Sequence, residues 1–422
     1  MPGIVILGAG TAGTLVANKL ARRLRNTPWK ITVIDSHDVH VYQPGLLFVP
    51  FGRVRAQRLV KHASPFLPKS AEFIVDRVTG IDPRVHQVIM ASGPPVPYDI
   101  LVVATGTTPR PDLVPGLADG PLWRRSIFDF YTVPGATALA SAIRQFRHGR
   151  IVVQVTEMPI KCPVAPLEFA LLAQDHFRKR GRTPDVDIAF VTPLDGAFTK
   201  PTASKALGSL MAQRGIEVVT DFQLERVDND QSELVSYDGR TEPFDLLVTV
   251  PPNRGSQVIA DSGLGDDSGF VPVDKHTLQS LVSPDVWAIG DATNAPTSKA
   301  GSVAHFMADA LVPNILDHID GRPPSHRFDG HANCFIESGR GRAMLLDFNY
   351  DQEPVTGVFP VPRVGPLSLL RPSVANHASK LAFEPVYWEM LIRGLPLPFP
   401  TDMPIAGKDI PAPAPATAAP HA

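Results

Sequence analysis

The side chains best suited to redox chemistry are two thiols, Cys162 and Cys334, the only cysteines among 422 residues. Their number and separation suit neither a disulfide scaffold nor a zinc site, so two free thiols and no metal are expected. Cys162 stands in residues 151–173, IVVQVTEMPIKCPVAPLEFALLA. An apolar strand leads into it and an apolar helix leaves it, the outline of a dinucleotide-binding βα unit. The connecting turn, however, has no glycine and three prolines, Pro159, Pro163 and Pro166. Such a turn keeps backbone amides away from a pyrophosphate. A nicotinamide dinucleotide is therefore not expected here, and a thiol takes its neighbourhood.

A complete glycine loop occurs earlier. Residues 3–8 read as a short apolar strand, Gly8-Ala-Gly10-Thr-Ala-Gly13 opens a helix running to about residue 25, and a second strand over 29–34 closes on Asp35. Gly8 permits the tight turn, Gly10 the close approach of backbone to a pyrophosphate, and Gly13 the packing of helix on strand. Asp35 follows Gly13 by 22 residues, the spacing of an acid that hydrogen-bonds an adenosine ribose.

Residues 98–108 (YDILVVATGTT) and 286–292 (VWAIGDA) each read as a buried strand ending in small residues. They resemble the corresponding segments of the two-dinucleotide-domain flavoproteins. That resemblance implies FAD, with Gly290 and Asp291 on its ribityl and pyrophosphate groups and Thr105 and Gly106 passing near it. The implied fold class is α/β: two Rossmann-like domains followed by a C-terminal membrane-interface segment.

Such a length exceeds what one core sustains, so several domains are expected. The reading is discontinuous: residues 1–113 begin the FAD domain, with an antiparallel excursion around 73–98, and 114–240 form a second Rossmann-like domain carrying Cys162. The chain then returns to the FAD domain over 241–320, through strands at 246–250 and 286–291 and a helix at 301–317. That helix points its N-terminal dipole to where the flavin pyrimidine would lie. Residues 321–403 form the C-terminal region carrying Cys334, and 404–422 a disordered Pro/Ala-rich tail. A net charge of −2 without a long basic block argues against nucleic acid. The first strand leaves no room for a cleavable signal peptide, and no apolar run is long enough to span a bilayer, so folding in the cytoplasm is expected.

Toward the C-terminus the chain becomes rich in proline and aromatic residues, from His377 to Phe399. Between Ser379 and Arg393, Leu381, Val386, Tyr387, Met390 and Leu391 stand beside few charges, and Pro385 is expected to split the stretch into two short helices. Such a surface either lies in a bilayer interface or packs on the core.

Four places together resemble the sulfide:quinone oxidoreductase family, over residues 1 to about 400: the glycine loop, Lys161-Cys162-Pro163 with Glu168, Gly330-His-Ala-Asn-Cys334-Phe335, and Lys380-Leu-Ala-Phe383. The resemblance implies that sulfide attacks a redox pair formed by Cys162 and Cys334. Cys334 would lie nearest the flavin, Cys162 would accumulate sulfane sulfur, and Glu168 would handle protons. Phe335 and Phe383 would sandwich a membrane quinone, with Lys380 neutralising quinol charge. Lys299 and Gly301 would place donors at the flavin pyrimidine. Lys161 and the following helix start would lower the Cys162 thiol pKa. The implied partners are sulfide, quinone and the bilayer surface, with a peripheral position at the cytoplasmic membrane face and possible homo-oligomers.

Two departures from the family pattern stand out. The third cysteine that many members carry before the second domain is absent from residues 122–129, so FAD is expected to be non-covalent. Where some members place relay histidines, this chain has Phe198-Thr-Lys200-Pro201. An alternative reading keeps flavin and thiols but passes electrons to a cytochrome or another protein acceptor. A type II NADH dehydrogenase would need a glycine loop after Val155, which this sequence lacks.

Overall fold

Short strands buried along their whole length set the architecture. Ile100–Val103 is buried at all four positions and Leu246–Val250 at all five, the pattern of parallel sheets covered on both faces. The structure, a computed structural model, describes residues 1–397 and 400–410. One five-stranded parallel sheet runs in the order Val286–Ala288, Ile100–Val103, Gly3–Leu7, Lys30–Asp35, Glu72–Val75. Helices Thr11–Arg23 and Gly301–Ile319 pack together against it.

A second sheet runs Ile127–Phe128, Leu246–Val250, Gly149–Val155, Val186–Val191, Glu217–Val219, all parallel. This corrects the boundary expected at 240/241. Leu246–Val250 pairs with Gly149–Val155 in the register Ile151↔Leu246 to Val155↔Val250, so it completes the second domain before the chain crosses back. The antiparallel excursion is also shorter than expected. Glu72–Val75 belongs to the first sheet, beside Lys30–Asp35, and only Val78–Asp82, Gln87–Met90 and Val96–Pro97 form the meander.

The C-terminal region is a four-stranded sheet, Ala332–Gly339, Arg342–Phe348, Gly365–Leu369, Gly357–Val361, with helix Val374–Val386 packed across it. Ser373 caps that helix, its Oγ accepting from Asn376 N at 3.1 Å. Pro385 does not split the helix as expected. It stands one residue before the end, and a widened π-turn, Tyr387–Leu391, carries the chain on.

The expected interfacial face is also divided. Tyr387 and Leu391 are core residues: Tyr387 and its neighbour Trp388 pack against His40 and Tyr42, and Trp388 also meets Phe66. Leu381 stays half exposed. The tail expected to be disordered from 404 is held as far as 410: Lys408 pairs with Gly357 through the backbone, and its ammonium joins Asp347 in a buried ion pair. Phe399 and residues 411–422 lie outside the described residues. Among the described residues no helix is long and apolar enough to cross a membrane.

Candidate active site

Steric exclusion builds the phosphate-binding turn. Gly8 adopts φ +105°, and a Cβ there would lie 2.5 Å from the Ala104 carbonyl oxygen. A Cβ on Gly13 would lie 1.9 Å from the Gly8 oxygen, so only glycine lets the helix begin this close to the strand. Gly10 has nothing within 4 Å of its would-be Cβ. It precedes helix Thr11–Arg23, which no side chain caps among the described residues, so the first amides are not taken by a cap, the arrangement that holds a pyrophosphate. Asp35 is tied to the loop, its Oδ2 accepting from Ala9 N at 2.7 Å.

The other expected cofactor residues converge on this turn. Gly106 and Gly290 both take φ +68°, and a Cβ on Gly290 would lie 3.2 Å from Ala12 Cβ. The nearest atom to a Cβ on Gly301 would be Thr11 Cγ2 at 3.7 Å, so the N-termini of the two long helices meet. Thr105 Oγ1 is shielded from solvent without a hydrogen-bond partner among the described residues. A buried polar atom left so costs about 1–3 kcal/mol, which marks a place for a polar ligand. Burial raises the Asp291 carboxyl against the pull of Lys299 and Lys161. These residues fit FAD.

Lys299 is tied into the loop beside Asp291. Its ammonium donates to the Asp291 and Thr293 carbonyls at 2.8 and 2.7 Å and sits 4.1 Å from the Phe270 ring centre. That ammonium closes the loop from Asp291 to Thr293. What Lys299 offers the site is backbone, because its carbonyl accepts from Cys162 N at 2.7 Å.

Both cysteines are moored to the start of helix Gly301–Ile319. Cys162 reaches it through that Lys299 carbonyl, and the Cys334 strand through Ser302 Oγ, which donates to Asn333 O at 2.9 Å. Both are free thiols, and each lies close enough to Glu168 and Lys380 to feel their charge; Cys162 also feels Cys334. Cys162 is held at φ +49°, uncommon for a residue with a Cβ. Its carbonyl accepts from Ala165 N at 2.9 Å and Tyr131 Oη at 3.1 Å, which fixes that strained conformation.

The thiol electrostatics reverse the expectation. Burial, reinforced by the Glu168 carboxylate, pushes Cys334 up to about 12 and Cys162 strongly up as well. The opposing cation is Lys380. Lys161, expected to lower the Cys162 pKa, is itself buried and faces Asp291 and Asp129.

Glu168 stands in the first turn of helix Ala165–Lys179, buried instead of lying on the surface. It accepts from Glu337 N at 2.6 Å and pairs with the Lys380 ammonium, which also donates to Phe335 O at 3.0 Å. Burial raises Glu168 to about 7 although Lys380 pulls the other way. Lys380 thus belongs to the thiol cluster. Phe335 and Phe383 pack on different apolar clusters, and no ring contact joins them among the described residues. Tyr131, Glu337 and His377 join the site through tertiary contacts. The spacing His377-x-x-Lys380 was the available signal for the last, since residues three apart share a helix face.

Residues 2–308 match the family described as pyridine nucleotide-disulphide oxidoreductase. The chain is similar to the mitochondrial sulfide:quinone oxidoreductase of Dictyostelium discoideum, 29% identical over 397 residues, covering 93% of this chain and 86% of that protein. Similarity to the mitochondrial sulfide:quinone oxidoreductase of Mus musculus is 27% over 398 residues, with coverage of 93% and 86%. The X-ray structure of the sulfide:quinone oxidoreductase from the hyperthermophilic bacterium Aquifex aeolicus shares the fold, with a TM-score of 0.78 at 21% identity over 94% of this chain and 92% of that one.

Proposed function

The chain belongs to the pyridine nucleotide-disulphide oxidoreductase family, and from that premise we propose that it oxidises sulfide at Cys162 and Cys334 and passes the electrons through non-covalent FAD to a membrane quinone. The observation that carries this reading is the convergence of two distant thiols on one helix start, with Glu168 and Lys380 acting on both. The names of the similar proteins support the substrate and the acceptor. The glycine-free turn before Cys162 argues against NADH as the donor.

In the proposed chemistry the two cysteines begin as an oxidised pair joined directly in a disulfide. Hydrosulfide attacks the sulfur of Cys162, the bond toward Cys334 breaks, and its electron pair leaves with Cys334 as thiolate. Lys380 offsets that charge in surroundings that otherwise favour the neutral thiol. Glu168, which titrates near neutrality, takes the S–H proton of the new Cys162 persulfide. FAD, when bound by the Gly8, Gly10 and Gly13 turn with Thr105 and Asp291, supplies the two-electron acceptor linking sulfur to quinone. Half-exposed Leu381 and Val361, with the more exposed Val364, support a position at the bilayer surface, within reach of a lipid-soluble acceptor bound near Phe335 and Phe383.

The test is anaerobic stopped-flow flavin bleaching with sulfide and, separately, with NADH. Sulfide bleaches the native enzyme, and NADH does not. Cys162→Ala and Cys334→Ala retain FAD but lose sulfide-driven bleaching. Bleaching by NADH alone, or retained bleaching in Cys334→Ala, overturns the reading.

A further inference from the structure

A proton placed on Glu168 has to leave a group that is 1% exposed. The titratable groups acting on it or on the two thiols are Cys162, Cys334, Tyr131, Lys380, Glu337 and Asp347. Most lead nowhere. Tyr131 is buried and spent on the Cys162 carbonyl. Lys380 is taken by Glu168 and Phe335 O, and Asp347 is closed off by His331 and Lys408.

Glu337 differs. It is fully buried, its amide is hydrogen-bonded to Glu168 Oε1, and its carboxylate meets His377 Nδ1 at 2.8 and 3.1 Å. The His377 side chain is 20% exposed. Helix Val374–Val386 thus lays Lys380 and His377, three residues apart, along a line from the thiol cluster to the surface.

We propose that Glu337 and His377 form the proton exit of the sulfur site, joining Glu168 to solvent. The inference rests on the sulfide reading above. The S–H bond of the persulfide breaks and an O–H bond forms on Glu168. That proton crosses by one water to the Glu337 carboxylate, whose charge acts on Glu168, and passes on to the His377 ring, which gives one proton to water. One proton enters the path and one leaves, and the electrons stay with sulfur until the flavin takes them. Neither residue touches sulfur, so both are positioning residues acting through Glu168.

The experiment follows sulfide-driven bleaching of the FAD-loaded enzyme from pH 6 to 9, with and without added imidazole, in the native protein, His377→Ala and Glu337→Gln. Removing the histidine slows bleaching about tenfold at neutral pH, a modest share of a general acid–base contribution, and flattens the pH profile. Imidazole restores the His377→Ala rate but not that of Glu337→Gln, while FAD content and dithionite reduction stay native. If His377→Ala fails to fold, His377→Gln replaces it, with the same loss and recovery expected. A native rate and pH profile in the histidine variant, or a loss that imidazole does not relieve, overturns the proton exit alone. A native enzyme that sulfide fails to bleach overturns the sulfide reading, and the exit with it.

Discussion

Replacing Lys380 with Met separates the place the structure gives this residue from the place the family resemblance implied. Lys380 pairs with Glu168, which is buried and titrates at about 7. Removing one partner of a buried ion pair costs about 3–5 kcal/mol, because it strands the other charge. At about 1.4 kcal/mol per pH unit, this moves the Glu168 titration up by roughly two to three pH units. At pH 7 the carboxylate fraction then falls from about half to roughly one part in several hundred, and sulfide-driven bleaching slows by about a hundredfold. The alkaline side of the pH profile recovers the rate. The assay is single-turnover bleaching by sulfide, set against reoxidation of dithionite-reduced enzyme by a soluble quinone. If Lys380→Met bleaches normally at pH 7 but reoxidises slowly, the lysine serves the quinone and the electrostatic argument fails.

Two further outcomes test the frame around the site. In Gly13→Ala the new Cβ meets the Gly8 oxygen, so FAD binding weakens by about 3 kcal/mol, roughly a hundredfold, read from flavin content after gel filtration. His40 is 1% exposed, its Nδ1 bonds the Ala9 carbonyl at 3.1 Å, its Nε2 bonds Tyr387 Oη at 2.7 Å, and burial lowers it from 6.5 to about 4. The unfolded chain protonates this ring first, so its stability contribution is complete above pH 6.5 and drains away as pH falls through about 4. The loss is about 3 kcal/mol, and urea unfolding at pH 7 and 4 shows it in the native protein but not in His40→Gln. An unchanged pH dependence in that variant would refute the assignment.

Much of the frame was legible because local sterics and spacing write it. The Gly8, Gly10 and Gly13 turn, the acid at Asp35 and the glycine-free turn at Cys162 are each fixed by residues within a few positions of one another. Sheet membership was harder. The apolar run at 246–250 reads equally well as a strand of either domain, because a parallel strand buried on both faces carries no mark of its neighbour. Likewise an apolar stripe with aromatics reads the same whether it meets lipid or core, and only the contacts of Tyr387 and Trp388 with His40 and Tyr42 assign it to the core. Lys408, in a segment with the composition of a tail, is held by Asp347, 61 residues earlier.

The order of residues supplies the chemical parts: one dinucleotide loop, two thiols, one carboxylate near a thiol and no second glycine turn. Tertiary structure alone decided their relations. Lys380 lies 212 residues from Glu168 along the chain, yet it is the cation that opposes burial at Glu168 and both thiols, while Lys161, the covalent neighbour of Cys162, faces Asp291 and Asp129. The reason is that charge acts through space and burial acts through what surrounds an atom. Neither is set by distance along the chain.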